Sequence, residues 1–215
     1  MSFFCGIKYP VLLSLSLHTI AMPNLKISLP LLVLVVLHNA APTHSATATS
    51  FIESSCRVTR YPALCVHSLS AYATSIRQSG RQLTQTALSV SLNKSRYAAA
   101  FVSNLAKGRA VRGLEYQALK DCIENMGDTV DRLRQSVKEL RDLRRTAGGD
   151  LLWHLSNVQT WVSAALTDET TCLDGFASRR LDGQVKAAIR RKITLVAQVT
   201  SNALALVNHF ADKKH

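Results

Sequence analysis

"LKDCIENMGDTVDRLRQSVKEL", residues 119–140, places apolar side chains at Leu119, Cys122, Met126, Val130, Leu133, Val137 and Leu140. Every interval is three or four residues, which gathers these side chains into one stripe along an α-helix and leaves the other faces polar. A half-buried strand would instead alternate at every second residue. The stretch therefore reads as a long helix that must lay its stripe against others.

Three further stretches supply the partners. One runs through Leu155, Val158, Val162 and Ala165, skips Glu169, and resumes at Cys172 and Phe176. A second has Val185, Ile189, Ile193, Val196, Ala203 and Val207, and a third Leu88, Leu92, Ala99, Val102 and Ala106. Glycine-bearing breaks fall at 108–113, 146–150 and 178–184, with a polar turn at 78–82. Four long helices joined by short connections favour an antiparallel neighbour arrangement. The expected fold is all-α: an antiparallel up-and-down four-helix bundle over 83–212, preceded by an N-terminal helical hairpin at 51–82.

The bulk composition agrees. A chain of 215 residues with 47% apolar content can bury a core and is not an intrinsically disordered sequence. The first 45 residues lack acids and contain the apolar run Ile27–Leu37, then small residues including Ala46-Thr47-Ala48. That run is too short to span a bilayer, which takes about 20 residues, and has the layout of a secretory leader. Residues 1–48 are thus expected to be a signal peptide cleaved between about 40 and 48, with Met22 as an alternative start. The mature protein is expected to be secreted and free of the membrane.

Removal of the leader takes Cys5 and two bases, Lys8 and Lys26, so the net charge falls from +12 to +10. Cys56, Cys65, Cys122 and Cys172 remain, an even number that favours two disulfides, with three connectivities open. Cys122 and Cys172 both sit on helix stripes that facing helices can bring together. Cys56 and Cys65 flank Tyr61-Pro62 in "CRVTRYPALC", so a local pair plus a long pair is the favoured arrangement. Zinc prefers C-x2-4-C pairs with histidines nearby, a spacing not found here.

Three motifs carry a family resemblance: "CRVTRYPALCVHSL" (56–69), "ALKDCIENMGDTVDRL" (118–133) and "NVQTWVSAALTDETTCLDGF" (157–176). In this order they resemble the plant invertase and pectin methylesterase inhibitor family, over essentially all of 51–212. The resemblance implies a helical hairpin and four-helix bundle, with Cys56 bonded to Cys65 and Cys122 to Cys172. Invertase inhibitors of the family typically carry a Pro-Lys-Phe tripeptide; none occurs here, and the third motif is closer to the pectin methylesterase branch. The implied activity is reversible, non-covalent inhibition of that enzyme, one to one, in the apoplast or cell wall; an acid invertase is the alternative target. The domain also occurs as a pro-region of some pectin methylesterases, but the expectation here is an inhibitor, not an enzyme, and no cofactor.

The resemblance also points to contact residues. Glu124, Asn125, Asp128 and Asp131, shortly after Cys122, match acidic and amide positions that face the enzyme in the family's esterase inhibitors. Thr171 and Asp174, on either side of Cys172, match two more. Helical geometry agrees in part: Glu124, Asp128 and Asp131 lie about 200° around from the stripe and point to solvent. A plainer role is available too, since acids early and bases late in a helix complement its dipole.

Other features are weaker. The excess bases, among them Arg77, Arg81, Arg109, Arg112, Arg134–Arg145, Arg179, Arg180, Lys186, Arg190 and Arg191, form a solvated surface or attract de-esterified pectin, a polyanion; secretion and the lack of a binding motif argue against nucleic acid. If the chain has no enzyme target, a polyanion-binding wall protein is the remaining reading. Asp150, His154 and Ser156 lack the G-x-S-x-G setting of a hydrolase serine, so no catalytic residue is assigned. Trp153 and Trp161 read as core or groove-lining aromatics. Asn93-Lys94-Ser95 is a possible glycosylation sequon.

Overall fold

Pro62 opens a helix of the hairpin for a simple reason: its fixed φ suits the first helical position, where the missing N–H costs nothing. The computed structural model describes residues 43–108, 111–142 and 151–214, with side chains from Thr47 onward. Most of the leader, with Cys5, and also Arg109, Arg144, Arg145 and Asp150, lie outside the described residues. The hairpin comprises α1 (Thr43–Cys56), α2 (Pro62–Leu69), a 3-10 turn (Ser70–Tyr72) and the short α3 (Ala73–Ile76). The bundle helices are α4 (Gly80–Ala106), α5 (Gly113–Asp142), α6 (Leu151–Asp174) and α7 (Gln184–Asp212), with a 3-10 turn at Arg179–Leu181.

The bundle begins at Gly80, three residues before the expected Leu83. Arg77 and Gln78 adopt left-handed φ values of 47° and 60° and stop α3. Ser79 then caps α4 by accepting a hydrogen bond from the Gln82 N–H. At the other end of α4 the chain reverses through Gly113, whose φ of +58° suits a residue without Cβ. Each long helix packs on two neighbours, in the ring α4–α5–α6–α7 and back to α4. The all-α bundle behind a hairpin is therefore the observed architecture.

Both disulfides are present. Cys56–Cys65 closes the hairpin loop, and Cys122–Cys172 ties α5 to α6. Asn202 of α7 anchors the same hairpin loop: its side chain accepts from the Tyr61 N–H at 3.0 Å and donates to the Tyr61 carbonyl at 2.9 Å. Both polar groups of one loop residue are thereby satisfied at a place where water is largely excluded.

The core differs from the sequence reading at two helices. The stripe of α6 does not skip Glu169: that side chain is fully buried. Thr200 of α7 donates to its Oε1 at 2.8 Å, Ser95 of α4 donates to the same oxygen at 3.4 Å, and Ser91 meets Thr200 at 2.8 Å. Oε2 has no hydrogen-bond partner among the described residues. With Thr129 of α5, also buried and donating to the Ala165 carbonyl, these residues form a polar layer across the bundle. The layer separates two apolar clusters. One contains Leu92, Val130 and Val199 and continues to the hairpin; the other contains Ala98, Met126 and Val196 and surrounds Cys122–Cys172. Burial pushes the Glu169 carboxyl up to about 8, against the opposing hydrogen bonds from Thr200 and Ser95, so the group is neutral at neutral and acid pH.

The α4 stripe is corrected for the same reason. It runs through Thr84, Leu88, Ser91, Ser95, Ala98 and Val102, whereas Ala99 and Ala106 are only half-buried. Hydroxyls that return a bond to the carbonyl four residues back, as Ser95 does to Ser91 and Thr84 to Gly80, can be buried without leaving a donor idle.

Candidate functional site

The pairing of α5 with α6 sets the register of the candidate surface. Cys122 faces Cys172 and Thr129 faces Ala165, so each step down α5 is matched by a step up α6. Arg132 of α5 bonds Asp168 of α6 at 2.7 Å across the outer edge of this seam. Thr171 follows Asp168 by one helical turn and so continues that outer flank. Asn125 precedes Arg132 by two turns and lies on the matching flank of α5. A shallow polar strip thus runs along the α5–α6 junction toward the disulfide.

Around it stand the residues singled out from sequence. Glu124, Asp128, Asp131, Thr171 and Asp174 are exposed, and Asn125 is half-buried. Asn125 donates through Nδ2 to the Asp121 carbonyl at 2.8 Å, and its side-chain oxygen remains an acceptor. Thr171 donates to the Thr167 carbonyl at 2.9 Å, so its hydroxyl oxygen is oriented to accept. Asp131 is ion-paired with Arg134 on its own helix, whereas Glu124, Asp128 and Asp174 take part in no ion pair among the described residues. Asp174 stands at the end of α6, around the helix from the Cys172 side. The arrangement is a rigid, acceptor-rich surface on two long helices, held by a disulfide and an ion pair. It can recognise donors and cations; it contains no nucleophile with a base.

Two participants escaped the sequence reading. Arg132 and Asp168 are ordinary surface charges in a pattern search, and only their spacing across two helices reveals the bridge. His154 is bonded through Nδ1 to Glu139 Oε1 of α5 at 2.7 Å, and Asn157 donates to the same oxygen at 3.3 Å. The histidine is thus a tie between α5 and α6, not a base beside Ser156. Trp153 is 62% exposed rather than core, while Trp161 is half-buried. Asn93 is exposed in mid-helix, but Ser95 of its sequon is buried in the polar layer. Among the described residues no helix is long and apolar enough to cross a membrane.

Comparison with known proteins identifies the family. The family described as plant invertase/pectin methylesterase inhibitor matches residues 50–206. "Pectinesterase inhibitor 9" of Arabidopsis thaliana is 55% identical over 188 residues, covering 86% of this chain and 92% of that protein. The "21 kDa protein" of Daucus carota is 47% identical over 186 residues, with 86% and 94% covered. A crystal structure of a mutant form of a pectin methylesterase inhibitor from Arabidopsis shares the fold at a TM-score of 0.57 and 18% identity, covering 71% of this chain and 92% of that one. The chain belongs to the plant invertase/pectin methylesterase inhibitor family, in the branch of the pectin methylesterase inhibitors.

Proposed function

We propose that this protein is secreted to the apoplast and inhibits a pectin methylesterase by forming a reversible one-to-one complex that covers the enzyme's pectin-binding cleft. The observation that carries this reading is the 55% identity to a protein named pectinesterase inhibitor over 92% of that protein's length. The surface we assign to the contact is the α5–α6 strip: Glu124, Asn125, Asp128, Asp131, Thr171 and Asp174.

Chemistry supports that assignment. A cleft that binds a polymer of galacturonic acid must offer donors to carboxylates and hydroxyls. A row of carboxylates with an amide oxygen and a hydroxyl answers those donors. Because the strip is on helices braced by Cys122–Cys172, little side-chain and backbone freedom is lost on docking, which favours affinity. The inhibition involves no covalent step, since no activated nucleophile stands on this face.

The test is reversal of charge at the strip. Asp128→Lys with Asp131→Lys is expected to weaken inhibition by roughly 100-fold or more, as buried interfacial charges do when inverted. Thermal stability should change by under about 1 kcal/mol, because both side chains are exposed and the Asp131–Arg134 pair is a surface one. Undiminished inhibition by a folded double variant would remove the strip from the contact.

A further inference from the structure

Basic charge is concentrated around the turn into α7. Between Arg179 and Lys192 the chain carries Arg179, Arg180, Lys186, Arg190, Arg191 and Lys192 against a single acid, Asp182. Lys186 is engaged locally: it bonds Asp182 at 2.8 Å and the carbonyls of Ala177 and Ser178 at 3.2 and 2.9 Å, locking the turn into α7. The four arginines are exposed, and among the described residues none of them is in an ion pair.

The start of α7 lies against the end of α4. The Lys192 ammonium sits 5.4 Å from the centre of the Phe101 ring of α4. Tyr97 stands one turn before Phe101 on the same flank and is 77% exposed, the most exposed large apolar or aromatic side chain among the described residues. One turn beyond Phe101 is a shallow depression of about 450 Å3 lined by Leu105 of α4 and by Gln184, Val185, Ala187, Ala188 and Arg191 of α7. No acid lines it. The acids Glu124, Asp128 and Asp131 belong to α5, which is diagonal to α7 in the ring.

We propose that the outer groove between the end of α4 and the start of α7 binds a linear acidic polysaccharide, a polyuronate such as de-esterified pectin. A sugar ring lies on the open face of Tyr97, and Arg191 and Lys192 pair the carboxylates that recur along the chain. Arginine suits this role because its planar fork matches a carboxylate with two parallel hydrogen bonds. Phe101 is already covered by Lys192, so Tyr97 is the one open ring of the groove. A single platform is too little for the serial base stacking by which single-stranded nucleic acids are held. The choice of a uronate polymer rests on the function proposed above; the location of the groove does not. With the acidic strip on α5–α6 and the basic groove on α4–α7, the protein can hold an esterase on one side and the esterase's polymer product on the other.

The test measures binding to polygalacturonate with no esterase present. Arg191→Glu with Lys192→Glu should weaken binding at least about tenfold at low salt, and Tyr97→Ala about threefold. A control with the same change of net charge, Lys138→Glu with Arg141→Glu at the far end of α5, should stay within about twofold, because screening confines each charge to its own neighbourhood. Fully methyl-esterified pectin should not bind. An equal loss in the control would mean that total charge, not the groove, attracts the polymer, and would overturn the proposal. So would an unaffected Tyr97→Ala variant, or tighter binding to RNA or to anionic phospholipid vesicles than to polygalacturonate. Esterase inhibition by the groove variants, assayed on a small soluble ester, reads the other function separately. Intact inhibition with no polymer binding in the parent protein defeats this inference alone.

Discussion

Replacing Glu169 by Gln isolates one buried proton. In the folded protein the carboxyl titrates near 8; in the unfolded chain it titrates near 4.5. Below 4.5 both states carry the proton and the group contributes no pH dependence. Between the two values the unfolded chain has released it and the native state has not, so native stability falls by about 1.4 kcal/mol per pH unit. By pH 8 the loss is on the order of 4–5 kcal/mol, and above that both states are ionised and the curve flattens. For a domain whose total stability is about 5–15 kcal/mol this is a large share. The glutamine of the variant has no proton to lose, and its amide oxygen can still accept from Thr200 and Ser95. Its NH2 occupies the place of Oε2, which has no partner among the described residues of the parent protein. The negative charge of Asp168, held by Arg132, also disfavours ionisation of Glu169, and this contribution is lost together with the carboxyl in the variant. Guanidinium unfolding followed by helical circular dichroism at half-unit steps from about pH 4 to 9 gives the difference between parent and Glu169→Gln. The two should be close at about pH 4, and the variant should gain steadily to about pH 8, equivalent there to roughly 10 °C in Tm. A difference independent of pH across that window would refute a neutral buried Glu169.

Other outcomes follow from the covalent and polar ties. Replacing Cys122 and Cys172 by Ala should lower stability by roughly 4 kcal/mol on a chain-entropy account, and replacing Cys56 and Cys65 by roughly 3 kcal/mol; chemical denaturation of the two double variants checks the order. Asn202→Ala leaves the Tyr61 N–H and carbonyl without their partner, at a cost of about 1–3 kcal/mol. Hydrogen exchange should show faster exchange at the Tyr61 amide and around the hairpin loop, with α5 and α6 little changed.

How far the sequence could be read depended on which residues spoke for themselves. The α5 stripe from Leu119 to Leu140 announces a bundle helix because its buried positions are nearly all apolar. The stripes of α4 and α6 are blurred because Ser91, Ser95 and Glu169 sit where apolar residues are counted. No periodicity rule distinguishes a buried, hydrogen-bonded Glu from a solvent-facing one; the distinction lies in Thr200 and Ser95, which come from other helices. Asn202 is hidden in the same way, since its partner is a backbone 141 residues away. The acids of the α5–α6 strip were legible through motif and helical phase. The Arg132–Asp168 bridge beside them was not, because it depends on the register between two helices. The basic groove was legible only as excess charge. Phe101 and Lys192 are far apart in sequence, and it is the packing of α4 on α7 that places them together.

The central claim is put to its most direct test by titrating the purified protein into a plant pectin methylesterase and, separately, into an acid invertase. The account predicts saturating loss of esterase activity near an equimolar ratio, with the invertase unaffected. Inhibition of the invertase with the esterase untouched, or no effect on either enzyme by a folded, disulfide-intact protein, would contradict it.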